Sequence, residues 1–252
     1  MISIKNNVEI AKMRESNRIV GLLLHKLDGF IKPGISTYDI DRFADELIRN
    51  EAGKAAFKGY TVPGLPPFPA AVCSSANSCI VHGIPSKKKI LSEGDIIGID
   101  VGVYKNGFYG DAARTYQVGN ISEEAIALMA VTREALRRGI SQARDGARVG
   151  DISHAIGSYV MDQGYFVADS LTGHGIGTSL HEDPIVPNIG TKGKGPRLKK
   201  GMTIAIEPMV NIGTNRVIEN GWEFYVADGS LSAHFEHTIL ITENEAELLT
   251  EY

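Results

Sequence analysis

Cysteine is scarce in this chain: Cys73 and Cys79 are the only two in 252 residues. Two thiols exclude a disulfide framework and fit a reducing compartment, so a cytoplasmic home is expected. No apolar run approaches the roughly 18 residues that span a bilayer. Leu22, Leu23 and Leu24 sit inside an amphipathic pattern. The N-terminus has no signal-peptide layout, and no membrane partner is expected. Positive charge is also in short supply. Against 30 Asp and Glu there are 26 Lys and Arg, a formal net charge of -4. That balance gives no general attraction to nucleic acid, and no specific nucleic-acid partner is expected. Lys87-Lys88-Lys89 and the stretch from Lys192 to Lys200 read as solvated loop charge, with ribosome contact as the functional alternative. There is no G-x-S-x-G elbow and no workable Ser-His-Asp spacing, which argues against a serine hydrolase.

What is present is one plan used twice. The length and the 43% hydrophobic content suit a single large domain over residues 1–252. Asn6 or Asn7 can cap a long first helix with Ile10, Met13, Val20, Leu24 and Leu27 near helical spacing. Gly29, Pro33 and Gly34 stop it. Ser36-Thr37-Tyr38-Asp39 opens a second helix with Ile40, Phe43, Leu47 and Ile48 on one face, ending at Gly53. Pro and Gly crowd 60–69 into a loop. Strand-like stretches follow over 71–81, 96–104 and 108–118. Ser122 then caps another long helix through Leu128, Met129, Leu136 and Ile140. Gly146 and Asp151 stand 112 residues after Gly34 and Asp39, and Gly201 and Glu207 stand 107 after Gly94 and Asp100. Val81-His82-Gly83-Ile84-Pro85 parallels Leu180-His181-Glu182-Asp183-Pro184. The chain reads as a duplicated helix-helix-sheet unit, with halves of about 1–120 and 121–252 and a site at their seam.

Five residues in apolar or glycine-lined surroundings form the candidate site: Asp100, Asp111, His174, Glu207 and Glu236. A buried carboxylate is costly unless it is paired, hydrogen-bonded or bound to metal. Asn106-Gly107 between two apolar runs signals a two-residue hairpin. Lys105 then pairs with Phe108, Asp111 faces Gly102, and Asp100 faces Ala113. The two acids share a face as diagonal neighbours, roughly 7–8 Å apart at the backbone. From there both can lean onto two metal ions about 3.5–4 Å apart. His174 lies in Thr172-Gly173-His174-Gly175-Ile176-Gly177, where three glycines let backbone pass close to something bulky. Glu207 ends the apolar run Met202–Ile206, and Glu236 lies directly before the strand Ile239–Ile241. If the five converge, they make an oxygen-rich dinuclear site able to activate water.

Taken together, Ile99-Asp100-Val101 with Asp111, Thr172–Gly177, Leu180–Pro184, Ile206-Glu207-Pro208-Met209-Val210 and Phe235-Glu236-His237-Thr238 resemble type I methionine aminopeptidases. The likeness covers nearly the whole chain, in the short bacterial form. It implies the pita-bread fold, an α+β arrangement of two pseudo-symmetric halves around a central antiparallel sheet. It also implies that Asp100 chelates one metal, that His174 and Glu207 hold the other, and that Asp111 and Glu236 bridge them. His82 and His181 would bind substrate near the scissile amide. Tyr60, Phe68, Cys73 and Trp222 would line the methionine pocket, with 62–66 as a short insertion beside Phe68. In the implied mechanism, two cations acidify a water. Glu207 takes its proton and passes it to the leaving amine. His181 donates to the oxyanion, and His82 holds the next amide. Substrates would be N-terminal peptides of nascent chains with a small second residue, handled by a monomer. The ions are two divalent cations drawn from Co, Mn, Fe(II) or Zn; one nitrogen among many oxygens suits Mn, Fe(II) or Co. Three other readings stand beside it. They are an Xaa-Pro aminopeptidase or dipeptidase of the same fold, a non-catalytic binding homologue, and a dimetal small-molecule hydrolase.

Overall fold

Asn106 and Gly107 both take positive φ, 53° and 89°, and turn the chain back on itself as a type I′ hairpin requires. The ladder that results has Lys105 opposite Phe108, Gly102 opposite Asp111 and Asp100 opposite Ala113, the register expected from the sequence. Burial holds that register. Ile97, Ile99, Val101 and Val103 are all fully buried on one face. A one-residue slip would turn all four outward, at about 1.5–3 kcal/mol each.

The computed structural model describes residues 2–168 and 170–252. In chain order it runs α1 (Asn7–Leu27), α2 (Thr37–Asn50), β1 (Lys54–Ala55), β2 (Cys73–Ala76), β3 (Cys79–Val81), β4 (Ile96–Lys105) and β5 (Phe108–Gln117). Then come α3 (Glu123–Gln142), α4 (Val149–Asp162), β6 (Phe166–Val167), β7 (Thr172–Gly175), β8 (Glu182–Pro187), β9 (Thr203–Ile206) and β10 (Met209–Asn211). The chain closes with β11 (Val217–Asn220), β12 (Glu223–Val226), β13 (Ser232–His234), β14 (His237–Leu240) and β15 (Glu247–Leu248). The expected strand over 71–81 is in fact two strands, β2 and β3. Asn77 takes a positive φ of 55° and breaks the run.

Helix boundaries follow local chemistry. The Asn6 side chain accepts from the N–H groups of Val8 and Glu9, while Glu9 reaches back to the Asn6 N–H, a capping box. α2 stops at Asn50, three residues before the expected Gly53. Ala52 takes the left-handed conformation (φ 57°), and the Gly53 N–H bonds to the Ile48 carbonyl. This is a Schellman closure with alanine in the position glycine usually fills. Gly53 serves packing instead: a Cβ there would lie 3.0 Å from Val103 Cγ1.

Corresponding positions of the two halves carry matching geometry. The Ser36 N–H donates to Asp39 at 2.9 Å, and the Arg148 N–H donates to Asp151 at 2.8 Å. Gly34 and Gly146 both have positive φ, as do Gly94 and Gly201. One apolar core packs α1 and α2 on the β4–β5 hairpin through Ile19, Leu23, Ile40 and Ile99. A second packs α3 and α4 on β9, β10 and β14 through Leu128, Ile152, Ile204 and Ile239. No helix among the described residues is long and apolar enough to cross a membrane.

Candidate metal centre

Two sheets bring their acids to one place. In the first, Cys73 on β2 faces Asp100 on β4, Asp100 faces Ala113 on β5, and Asp111 lies two residues along β5 on the same face. In the second, β7, β9 and β14 lie side by side. His174 faces Ala205, so Glu207, two residues on, is its diagonal neighbour. His237 faces Ile206, and continuing that register by one residue sets Glu236 opposite Glu207. Hydrogen bonds join the sheets. The Glu236 N–H donates to the Ala113 carbonyl at 2.9 Å, and Thr238 Oγ1 donates to the Asp111 carbonyl at 2.7 Å.

The glycines around His174 admit neighbouring backbone rather than a bulky ligand. A Cβ on Gly173 would lie 2.4 Å from the Ala205 carbonyl oxygen, and one on Gly175 would lie 2.2 Å from that of Asp183. Close strand approach is what places His174 beside Glu207.

His174 Nε2 lies 3.6 Å from Glu207 Oε1 and 3.9 Å from Asp111 Oδ2. Those separations are too long for hydrogen bonds. They match the spacing of two ligands on one ion. His174 Nδ1 is 2.8 Å from the Gly175 carbonyl oxygen. A carbonyl only accepts, so Nδ1 carries the proton and Nε2 presents a lone pair, as a metal-ligating imidazole requires. One donor atom each from Asp111, His174 and Glu236, and likewise from Glu207, His234 and Glu236, lie within 4.8 Å of one another.

Charge is the unsolved quantity in this cluster. Burial raises the Asp100 carboxyl to about 7 and the Glu207 carboxyl to about 8. Burial, and then the negative charges of its neighbours, holds Asp111 well above the carboxylate range, and Glu236 likewise. Burial pushes His174 down to about 3. Asp100 Oδ1, Asp111 Oδ1 and Glu236 Oε1 are buried without hydrogen-bond partners. Orphaned oxygens of this kind cost about 1–3 kcal/mol each, more when charged. The donor set therefore fits divalent cations, which would satisfy these oxygens and neutralise the charge together.

A cavity of about 720 Å³ opens on the cluster, lined in part by all eleven residues singled out from the sequence. Asp100, Asp111, His174, Glu207 and Glu236 form one wall. Tyr60, Phe68, Cys73 and Trp222 belong to an apolar cluster with Leu180 and Phe57. Phe68 packs edge-on against Trp222, 5.4 Å between centroids. The Trp222 Nε1–H donates to the Pro66 carbonyl at 2.9 Å, tying the 62–66 stretch to this cluster. Backbone bonds from Gly59 to Phe68 and from Phe68 to Tyr60 close the base of that loop.

The two further histidines flank the cluster. Tyr60 Oη lies 2.8 Å from His181 Nδ1, and the His181 and His174 rings meet edge-on at 4.4 Å. His82 sits at φ 57° with Nδ1 buried and unpartnered. A non-glycine residue held there stores strain of order 1–3 kcal/mol, a mark of functional positions. One neighbour is not among the residues that the sequence singles out. His234 is buried, and its Nε2 lies 3.4 Å from Glu207 Oε2. The signal was its place two residues before Glu236, the spacing that puts residues on one face.

Known proteins resemble this chain in sequence and in fold. The model of metallopeptidase family M24 matches residues 11–243. Methionine aminopeptidase of Clostridium acetobutylicum is 48% identical over 252 residues, covering 99% of each chain. The crystal structure of methionine aminopeptidase from Thermotoga maritima superposes with a TM-score of 0.96 at 46% identity, covering 100% of both chains. Prolidase from Pyrococcus furiosus shares the fold, with a TM-score of 0.79 at 22% identity over 99% of this chain and 65% of its own. The match over nearly the full length, together with the carboxylate-histidine cluster, leads to one conclusion: this chain belongs to metallopeptidase family M24, with the α+β pita-bread fold.

Proposed function

We propose that this protein removes the N-terminal methionine from peptides and nascent proteins, favouring a small second residue, as a cytoplasmic monomer. The observation that carries the reading is the junction of an apolar pocket with a wall of unpaired carboxylate oxygens. A flexible thioether suits a pocket of Cys73, Phe68 and Trp222. Its backbone would then lie against the wall. We also propose that the chain forms one domain of duplicated halves, so the site is their seam.

Asp100, Asp111, His174, Glu207 and Glu236 would hold two divalent ions. When bound, these supply Lewis acidity at the scissile carbonyl and an acidified water. The residues around them do the rest. Glu207 takes a proton from the attacking water and returns it to the leaving amine. Its carboxyl, raised by burial, suits both directions. With its hydroxyl 2.8 Å from His181 Nδ1, Tyr60 would donate a hydrogen bond to that nitrogen. The His181 proton then resides on Nε2, ready to donate to the developing oxyanion. His82 Nδ1 accepts the N–H of the second residue.

The test strips the metal, restores Mn, Fe(II), Co or Zn singly, and assays Met-Ala-Ser against Leu-Ala-Ser and Ala-Pro-Ser. Cleavage of Met-Ala-Ser alone is expected. Cleavage of Ala-Pro-Ser in preference would instead favour a proline-directed peptidase, whose solved relatives share this fold.

A further inference from the structure

Glu207 stands between two imidazoles, one at each oxygen. His174 Nε2 faces Oε1 at 3.6 Å and His234 Nε2 faces Oε2 at 3.4 Å. The two rings differ in what they offer. The Gly175 carbonyl obliges His174 to present a lone pair. His234 Nε2 is buried with no hydrogen-bond partner. Among the described residues, an oxygen of Glu207 is the only ion-pair partner its ring has.

The backbone of His234 is pinned. Its N–H donates to Thr115 Oγ1 at 2.9 Å, and the same hydroxyl donates to its carbonyl at 2.9 Å. Across the ladder it pairs with Met209, two residues beyond Glu207. The ring has little freedom to turn away. Unlike the five candidate ligands, His234 does not line the cavity, which puts it behind the Glu207 carboxylate.

We infer that His234 is a positioning residue for Glu207: its Nε2–H donates to Oε2 and leaves Oε1 to the metal side with His174. A shift of about 0.5 Å closes the 3.4 Å gap to ordinary hydrogen-bond length. A carboxylate held at one oxygen keeps a single rotamer. The group that moves the proton therefore meets the water in one orientation rather than several. The inference rests on the peptidase reading given above for Glu207, but its structural part stands apart from it.

The test compares the Co(II)-loaded protein with His234→Leu, His234→Gln and His234→Asn. Leucine keeps the bulk and loses the donor; glutamine keeps a donor of similar reach; asparagine is too short. Removing such an outer partner commonly costs about 10–100-fold. H234L and H234N are therefore expected to lose kcat by that factor on Met-Ala-Ser with KM within about twofold. H234Q is expected to recover most of it. The visible Co(II) bands, which report how Glu207 sits on the ion, should shift in H234L and H234N and return in H234Q. Hyperfine-shifted proton resonances should show one ligated imidazole in every form. Two in the native protein, with one lost in H234L, would make His234 a ligand and overturn the positioning role. Full kcat and unchanged Co(II) bands in H234L and H234N would also overturn it. If the native protein cleaves no methionyl peptide, the peptidase reading fails, while the Co(II) bands and resonances still decide the His234–Glu207 contact.

Discussion

Glu236 borders two cavities, the one on the carboxylate cluster, of about 720 Å³, and another of about 640 Å³. The second is lined by His25, Asp28, Arg114, Tyr116, Arg133 and Phe235 among others. Its charged groups are answered locally. Arg114 donates to Asp28 at 2.9 Å, Arg133 lies 5.1 Å over the Phe235 ring, and His237 Nδ1 meets Thr250 Oγ1 at 2.8 Å. In the first cavity, besides the shared Glu236, Asp100, Asp111 and His82 each keep a buried polar atom with no partner. Volume does not separate the two. Unsatisfied polarity does: the first cavity gathers several orphaned polar atoms in one place, a cost that a bound cation would relieve.

The sharpest way to break this contrast is to substitute one charged residue of each cavity. Glu207→Gln is expected to lower turnover of Met-Ala-Ser by about 10³-fold or more with the circular dichroism spectrum unchanged. Arg133→Ala is expected to leave turnover within about twofold. Comparable losses in both would erase the distinction.

A second measurement asks which cavity governs stability against pH. Asp100 and Glu207 have folded values near 7 and 8, above their ordinary values of 3.8 and 4.5. The folded, metal-free protein therefore binds more protons than the unfolded chain across that window. Its stability is full below about pH 4 and falls as pH rises to about 8, by about 1.4 kcal/mol per pH unit for each such carboxylate. Urea titrations of the metal-free protein from pH 4.5 to 8 should show this fall. Saturating Mn or Co should flatten it and raise Tm. A metal-free protein whose stability rises over the same range would contradict the picture.

Two tyrosines give a finer version of the comparison. Tyr60→Phe removes the hydroxyl on His181, so kcat should fall about tenfold with stability nearly unchanged. Tyr116 donates to the Leu24 carbonyl at 2.6 Å in the other cavity. Tyr116→Phe should cost about 1 kcal/mol of unfolding free energy and leave turnover alone. The smallest effect lies outside both cavities. Ala52→Gly relieves the left-handed strain at φ 57° and should stabilise by about 0.5–1 kcal/mol in a urea titration, with no change in activity.

The first-sheet acids were legible because a two-residue turn and alternation fix Asp100 and Asp111 from local sequence alone. The meeting of His174, Glu207 and Glu236 was not legible in that way. Their pairing depends on β7, β9 and β14 assembling across gaps of some thirty residues, and only the repeated spacing and the family likeness tied them to the hairpin. The sequence does not mark His234, because Glu207, whose Oε2 its ring faces, is remote in the chain. The early end of α2 is unmarked for a different reason: alanine seldom takes the left-handed position that Gly53 seemed reserved for. The division of 71–81 turned on the backbone angle of one asparagine.

Thr115 and Thr238 carry a consequence of their own. Each hydroxyl crosses from one half to the other, Thr115 on β5 to His234 and Thr238 on β14 to the Asp111 carbonyl. On the proposed assignment neither half owns a complete donor set: Asp100 and Asp111 come from one, His174, Glu207 and Glu236 from the other. A chain whose second half had not folded would hold only Asp100 and Asp111 of the five proposed ligands. The proposed cage is thus completed only when the strands of the second half dock on the first, through contacts such as those of Thr115 and Thr238.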